Sequence, residues 1–156
     1  IGYSVGSAPV VGYHYGAGNH QEMHGLLKKS CLLVGVSAVL MFAAGQLLAG
    51  PLSYLFVGYD PGLTALTVRG FRFFSCSFLC SGFAIFGSSF FTALGDGLTS
   101  ALISFLRTLV FQCAAVVIFP ILWGIDGIWM SIVAAEGLAA GVTFLFLAGK
   151  KKRYGY

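Results

Sequence analysis

Three histidines and a glutamate fall close together in the stretch GYHYGAGNHQEMH, as His14, His20, Glu22 and His24. His20 and His24, four residues apart, share a helix face and so have the spacing of two metal ligands. "HQEMH" looks like the zinc-protease motif H-E-x-x-H, but there the glutamate directly follows the first histidine so that it can act on the metal-bound water. Here the acid stands two residues after His20, and Gly16 and Gly18 separate His14 from any helix shared with the other two. A catalytic zinc site needs three protein ligands, so neither a metal nor a cofactor is expected. The segment reads instead as the end of an apolar helix, a Gly-Ala-Gly exit and a polar connector leading to Lys28 and Lys29.

A second group of polar residues lies in apolar surroundings. Glu136 falls near the middle of the window from Gly127 to Gly149, which holds no other charge. A carboxylate at the centre of a membrane helix costs about 2.5 to 3.5 kcal/mol even on the lenient insertion scale, so Glu136 must face protein or water, or carry a proton. Gln112 and Glu136 stand equally far before and after Gly124, which puts them at one depth on neighbouring antiparallel helices. Arg107 lies five residues deeper, about 7.5 Å away along the axis, within reach of its long side chain. A buried network of Glu136, Gln112 and Arg107 follows, either as a clamp between helices or as a protonatable transport site.

The third candidate is a stripe of small residues, Ser77, Ser81, Ala84 and Ser88, at spacings of four, three and four. On one helix these share a face. Seven phenylalanines surround them, from Phe73 to Phe91. The stripe permits close helix packing, or a cavity walled by aromatics that could hold a lipophilic cation.

The elements that must position these groups are set by composition. The chain is 58% hydrophobic and 9% charged, against about 25% charged in a soluble domain, which excludes an ordinary soluble globule. Charges divide the chain into long windows, uncharged but for Arg107 in 97–125 and Glu136 in 127–149, each exceeding the roughly 20 residues that a helix needs to cross a bilayer. Spanning helices are expected near 28–49, 69–94, 98–122 and 126–148, with a truncated helix at 1–16. Gly50-Pro51 should end the first full span, Asp60-Pro61-Gly62 marks a loop, and Gly95-Asp96-Gly97 and Gly124 to Gly127 mark turns. The fold class is therefore an all-α integral membrane protein, an antiparallel transmembrane helix bundle. Gly137 and Gly141 form a small-xxx-small pair that should mark a close helix contact. The chain opens on Ile1 with no signal pattern, and reads as part of a longer protein.

The net charge of +4 does not point to nucleic acid, because Lys150, Lys151, Lys152 and Arg153 form one cluster directly after an apolar span. That is where the positive-inside rule places cations. With this tail cytoplasmic, alternation also puts Lys28, Lys29 and the 95–97 turn inside, and Arg69 and Arg72 outside. Tyr54, Tyr59, Trp123 and Trp129 then gather at the outer boundary, and Tyr13, Tyr15, Tyr154 and Tyr156 at the inner one, as aromatic belts. Cys31, Cys76, Cys80 and Cys113 all fall in apolar runs and read as packed free thiols.

The stretch PVVGYHYGAGN resembles the signature at the cytoplasmic end of the eighth helix in multidrug and toxic compound extrusion transporters, P-x-x-G-x-N-x-G-A-x-N. Pro9, Gly12, Gly16, Ala17 and Asn19 match it, and His14 stands where relatives commonly carry Asn. The resemblance continues through FFTALGDGLTSALISFLRTLVFQ and GIDGIWMSIVAAE, in order and at the right spacing, and covers nearly the whole chain.

It implies a twelve-helix antiporter of the cell membrane, built from two six-helix lobes, in which drug leaves in exchange for incoming Na⁺ or H⁺. This chain would be most of the C-terminal lobe, from the end of helix eight through helix twelve, completed by the missing N-terminal lobe and by the lipid bilayer. Its substrates would be lipophilic or cationic small molecules. Some members carry Asn at the position of Ala84, and some use an Asp in the tenth helix for the cation, yet no acid occurs here between Asp60 and Asp96. His14 either titrates in place of the amide or only hydrogen-bonds at the helix end, the second being the preferred reading. The rival readings are a related flippase for lipid-linked saccharides and a non-transporting membrane subunit.

Overall fold

The computed structural model describes residues 1–156, and every regular element in it is helical. Helix α1 runs Gly2–Gly16 and contains Pro9. The Asn19 side chain then caps α2, His20–Val57, by accepting from the Glu22 N–H at 3.2 Å. Asp60 caps α3, Pro61–Ser75, with its carboxylate on the N–H groups of Gly62 and Leu63, and Pro61 occupies the first turn, where its missing N–H costs nothing. Helix α4, Phe78–Ala93, follows at a bend of 41°. Helix α5, Gly97–Phe105, passes through a π-helical turn, Leu106–Phe111, into α6, Gln112–Tyr154.

Two expected boundaries are corrected. Gly50-Pro51 does not end the first span, because α2 continues through Pro51 to Val57. Proline removes one rung of the ladder, whereas ending the helix in an apolar environment would free several backbone groups with no water to satisfy them. The expected helix at 69–94 starts earlier, at Pro61, and is divided at Cys76-Ser77. Ser75 and Ser77 donate their hydroxyls back to the carbonyls of Arg72 (2.8 Å) and Phe74 (2.7 Å), offering the backbone an alternative to the regular ladder. From α2, Gln46 Nε2 donates to the Arg72 carbonyl at 3.0 Å and to Ser75 Oγ at 2.8 Å, which holds the bend in place.

Gly97–Tyr154 forms an apolar stretch of 58 residues. As a straight helix it would be about 87 Å long, near three times the apolar thickness of a bilayer. It doubles back at Gly124, whose φ of 60° and ψ of −134° leave the helical region. The two arms then run side by side so closely that a Cβ on Gly127 would strike the carbonyl of Phe119. The arms correspond to the expected helices 98–122 and 126–148, the second continuing to Tyr154.

The tightest core lies at one end, where Val11 of α1, Met23 of α2, Phe90 and Phe91 of α4, Ile103 of α5 and Tyr154 of α6 meet. Tyr154 and Tyr156 belong to this core and not to an interfacial belt. Gly137 and Gly141 also depart from expectation: a Cβ at either would meet nothing, whereas Gly45 packs on Ser75 and Gly87 on Thr143. Elsewhere the outer faces of α2 and α6 are lined by exposed Leu32, Leu40, Leu47, Val117, Ile121 and Leu145, a surface that suits lipid and not water.

Candidate functional site

Arg107 sits on the π-helical turn and Glu136 on the second arm of α6. Arg107 Nε donates to Glu136 Oε1 at 3.1 Å and Oε2 at 2.9 Å, and Nη2 donates to Oε1 at 2.8 Å. This fork satisfies both carboxylate oxygens, which is the geometry that a charge pair away from water requires. π-Turns inside α-helices are frequent at functional sites, because the extra residue re-aims side chains. Gln112, expected in the same cluster, makes no hydrogen bond with either partner. Residue counting from Gly124 fixes depth in the membrane, but the direction a side chain faces depends on the helix winding, and the π-turn changes that winding between Arg107 and Gln112.

Arg107 also lines a cavity of about 220 Å³ together with Ser4, Ala84, Ser88, Ser89 and Ser104. Two members of the small stripe, Ala84 and Ser88, thus share a cavity with Arg107, the cationic member of the pair. Ser4, Ser88, Ser89 and Ser104 put hydroxyls on its wall, with Ser88 Oγ 2.8 Å from Ser104 Oγ and Ser89 donating to the Ser4 carbonyl at 3.1 Å. Behind the wall Ser88 Oγ lies 2.9 Å from Ser100 Oγ, which is 2.7 Å from Thr92. Ser4, Ser89, Thr92, Ser100 and Ser104 escaped the sequence reading. Their signal was present in the four-residue spacings Ser88/Thr92 and Ser100/Ser104, one on each of two consecutive helices.

The rest of the stripe does not join this cavity. Ser81 lines a neighbouring apolar one of about 300 Å³ with Tyr3, Ser37 and Phe78. Ser77 is buried at the α3–α4 bend, its hydroxyl bonded to the Phe74 carbonyl, because the bend separates it from the face that it would share on a straight helix.

Motif residues serve the connector between α1 and α2. A Cβ on Gly12 would lie 3.4 Å from the Ala93 carbonyl, so α1 and α4 approach closely there. Gly16 ends α1, Ala17 caps its C-terminus and Asn19 caps α2. His14 packs edge-on against Tyr13 with ring centroids 5.4 Å apart, and its buried Nδ1 has no hydrogen-bond partner. The expected hydrogen bond at the helix end is therefore not made through that nitrogen. His20 and His24 are exposed, and the His20 ring lies against Gly155.

A second polar cluster was not foreseen. Asp96, between α4 and α5, accepts from Lys150 Nζ at 2.6 Å, Thr99 Oγ1 at 2.7 Å and Tyr154 OH at 2.7 Å, and Lys150 also reaches Thr99. Burial by itself would raise the Asp96 carboxyl, but the hydrogen bonds from Lys150, Thr99 and Tyr154 outweigh it and hold the group well below the usual carboxylate range. Burial, followed by the bond to Asp96, raises the Tyr154 phenol, and burial pushes Tyr156 up to about 12.

The MatE family model matches residues 1–118 of the chain. No curated protein matches it. Among solved structures, it is similar to an inward-facing conformation of a multidrug resistance MATE family transporter of the MOP superfamily, with a TM-score of 0.91 and 23% identity. The likeness covers 99% of this chain and 36% of that one, so the chain spans about a third of the transporter's length. At that identity the likeness establishes the fold.

Proposed function

Because the chain belongs to the MatE family, we propose that it forms the C-terminal part of a multidrug efflux antiporter that exchanges lipophilic or cationic small molecules for H⁺ or Na⁺ by alternating access. The observation that carries this reading is that Arg107, held by Glu136, lines a cavity bordered by serine hydroxyls. An arriving cation competes with Arg107 for the Glu136 carboxylate. A proton on Glu136 weakens its hold on Arg107, leaving a guanidinium that repels a cationic substrate from the same cavity. Drug and coupling ion thereby oppose each other at one site, as exchange demands. The second lobe completes the transport path, the protein crosses the cell membrane several times, and its C-terminus is cytoplasmic.

The test is ethidium efflux from cells expressing the full-length parent protein, with and without an imposed H⁺ or Na⁺ gradient. Gradient-driven export that Glu136→Gln abolishes while the protein still folds is the expected result. Dye accumulation equal to that of empty cells refutes the reading. Loss of folding in Glu136→Gln favours a purely structural clamp, as in a non-transporting subunit. A flippase for lipid-linked saccharides is disfavoured because the guanidinium at the cavity is already committed to Glu136 and is not free to hold a pyrophosphate.

A further inference from the structure

The end of the bundle that holds the core also gathers most of the chain's cations. The αL conformation of Gly155 (φ 72°) turns the C-terminus back on itself. Tyr156 OH donates to the Leu147 carbonyl at 3.1 Å, and its ring meets Phe90 edge-on at 5.1 Å. Tyr154 OH is fixed on Asp96, and Met23 of α2 packs in the same buried cluster as Tyr154 and Tyr156. With the His20 ring against Gly155, the end of α6 is fastened to the beginning of α2.

Two basic runs lie at this end of the bundle, Lys28 and Lys29 within the first three turns of α2 and Lys151, Lys152 and Arg153 in the last turn of α6. Lys150 is consumed by Asp96, but Lys28, Lys29, Lys151, Lys152 and Arg153 are exposed and none forms an ion pair. The Arg153 guanidinium stands over the Tyr154 ring at 5.5 Å, which restrains its direction. Of the five acids, Asp96, Asp126 and Glu136 are paired and Asp60 caps α3 beyond the far end of α2, so Glu22 is the one exposed acid at this end. Five cations against one acid, beside apolar helix flanks, make a surface for phosphate-bearing headgroups at the membrane boundary.

We infer that Lys28 and Lys29 of α2 and Lys151, Lys152 and Arg153 of the docked tail form one docking surface for the headgroups of anionic phospholipids in the surrounding bilayer. The inference rests on the membrane bundle and not on transport. Its readout is lipid retention, so its failure leaves the efflux reading standing.

The full-length parent protein, purified in detergent, is incubated with phosphatidylglycerol or phosphatidylcholine, and bound lipid is counted by native mass spectrometry. Preference for phosphatidylglycerol of about tenfold is expected, weakening as salt rises. Both Lys28→Gln/Lys29→Gln and Lys151→Gln/Lys152→Gln/Arg153→Gln should reduce that preference, and the five-fold variant should abolish it without lowering the Tm in lipid-free detergent. Equal retention of the two lipids, or a preference unchanged in the five-fold variant, overturns the inference. So does an effect confined to one of the two basic runs, since one surface requires both. Displacement of phosphatidylglycerol by millimolar inorganic phosphate would make the ligand a free anion and would equally sink the assignment to lipid.

Discussion

The two ends of the helix bundle each carry an ion pair, and they are built differently. At one end Arg69 and Asp126 approach to 2.5 Å, yet their side chains remain 62% and 32% exposed. At the other, Asp96 and Lys150 are 2.6 Å apart with side chains only 10% and 23% exposed, and Thr99 and Tyr154 add their hydroxyls. Similar distances do not mean similar energies. An open pair loses most of its attraction to solvent and to side-chain entropy. An enclosed carboxylate with several donors keeps its hydrogen bonds in a low dielectric, and removing one donor strands the others. Arg107–Glu136, between the two ends, is enclosed like the second but lacks supporting hydroxyls on the carboxylate.

This contrast ranks the mutations. Arg107→Ala leaves Glu136 buried without a partner and should cost about 3 to 5 kcal/mol, the largest effect, read as a fall in thermal stability of the purified full-length protein. Adding Glu136→Leu should restore much of that stability without restoring ethidium efflux. Recovery of both would reduce the pair to a staple. Asp96→Asn should cost about 2 kcal/mol, in the range of a charge-assisted bond, and should loosen the C-terminal residues in hydrogen exchange. Tyr154→Phe keeps the ring in the core and removes one bond, for about 1 kcal/mol. Arg69→Ala should stay within about 0.5 kcal/mol. A larger loss at Arg69 than at Asp96 would invert the comparison.

Acid separates the ends further. A carboxyl held below its unfolded value contributes stability that is complete above that value and disappears as pH falls toward the folded one. For Asp96 the contribution is whole above about pH 4 and declines below it. Hydrogen-exchange protection factors at 95–99 and 150–156, taken against the intrinsic rate at each pH, should therefore fall on acidification in that range. Unchanged protection there down to pH 2 would show that the Asp96 cluster does not hold the tail.

Much of the fold is legible in the residues themselves. Apolar windows longer than a bilayer requires, broken at Gly95-Asp96-Gly97 and at Gly124, dictate helices and where the chain reverses. A glycine turn and a carboxylate cap act over a few residues, so sequence contains their whole cause. The Arg107–Glu136 pairing was equally accessible, because equal depth across a turn follows from rise per residue. Tertiary structure decided the rest. Whether Pro51 ends a helix depends on its apolar surroundings, whether Ser77 stays on the stripe depends on a bend held by Gln46, and whether Gln112 reaches Glu136 depends on a π-turn. The enclosure of Asp96 by Lys150 and Tyr154 depends on contacts more than fifty positions apart in the chain, and no local pattern announces them. Depth is a property of one helix and can be counted. Which way a side chain faces, and what shields it, belongs to the packed bundle.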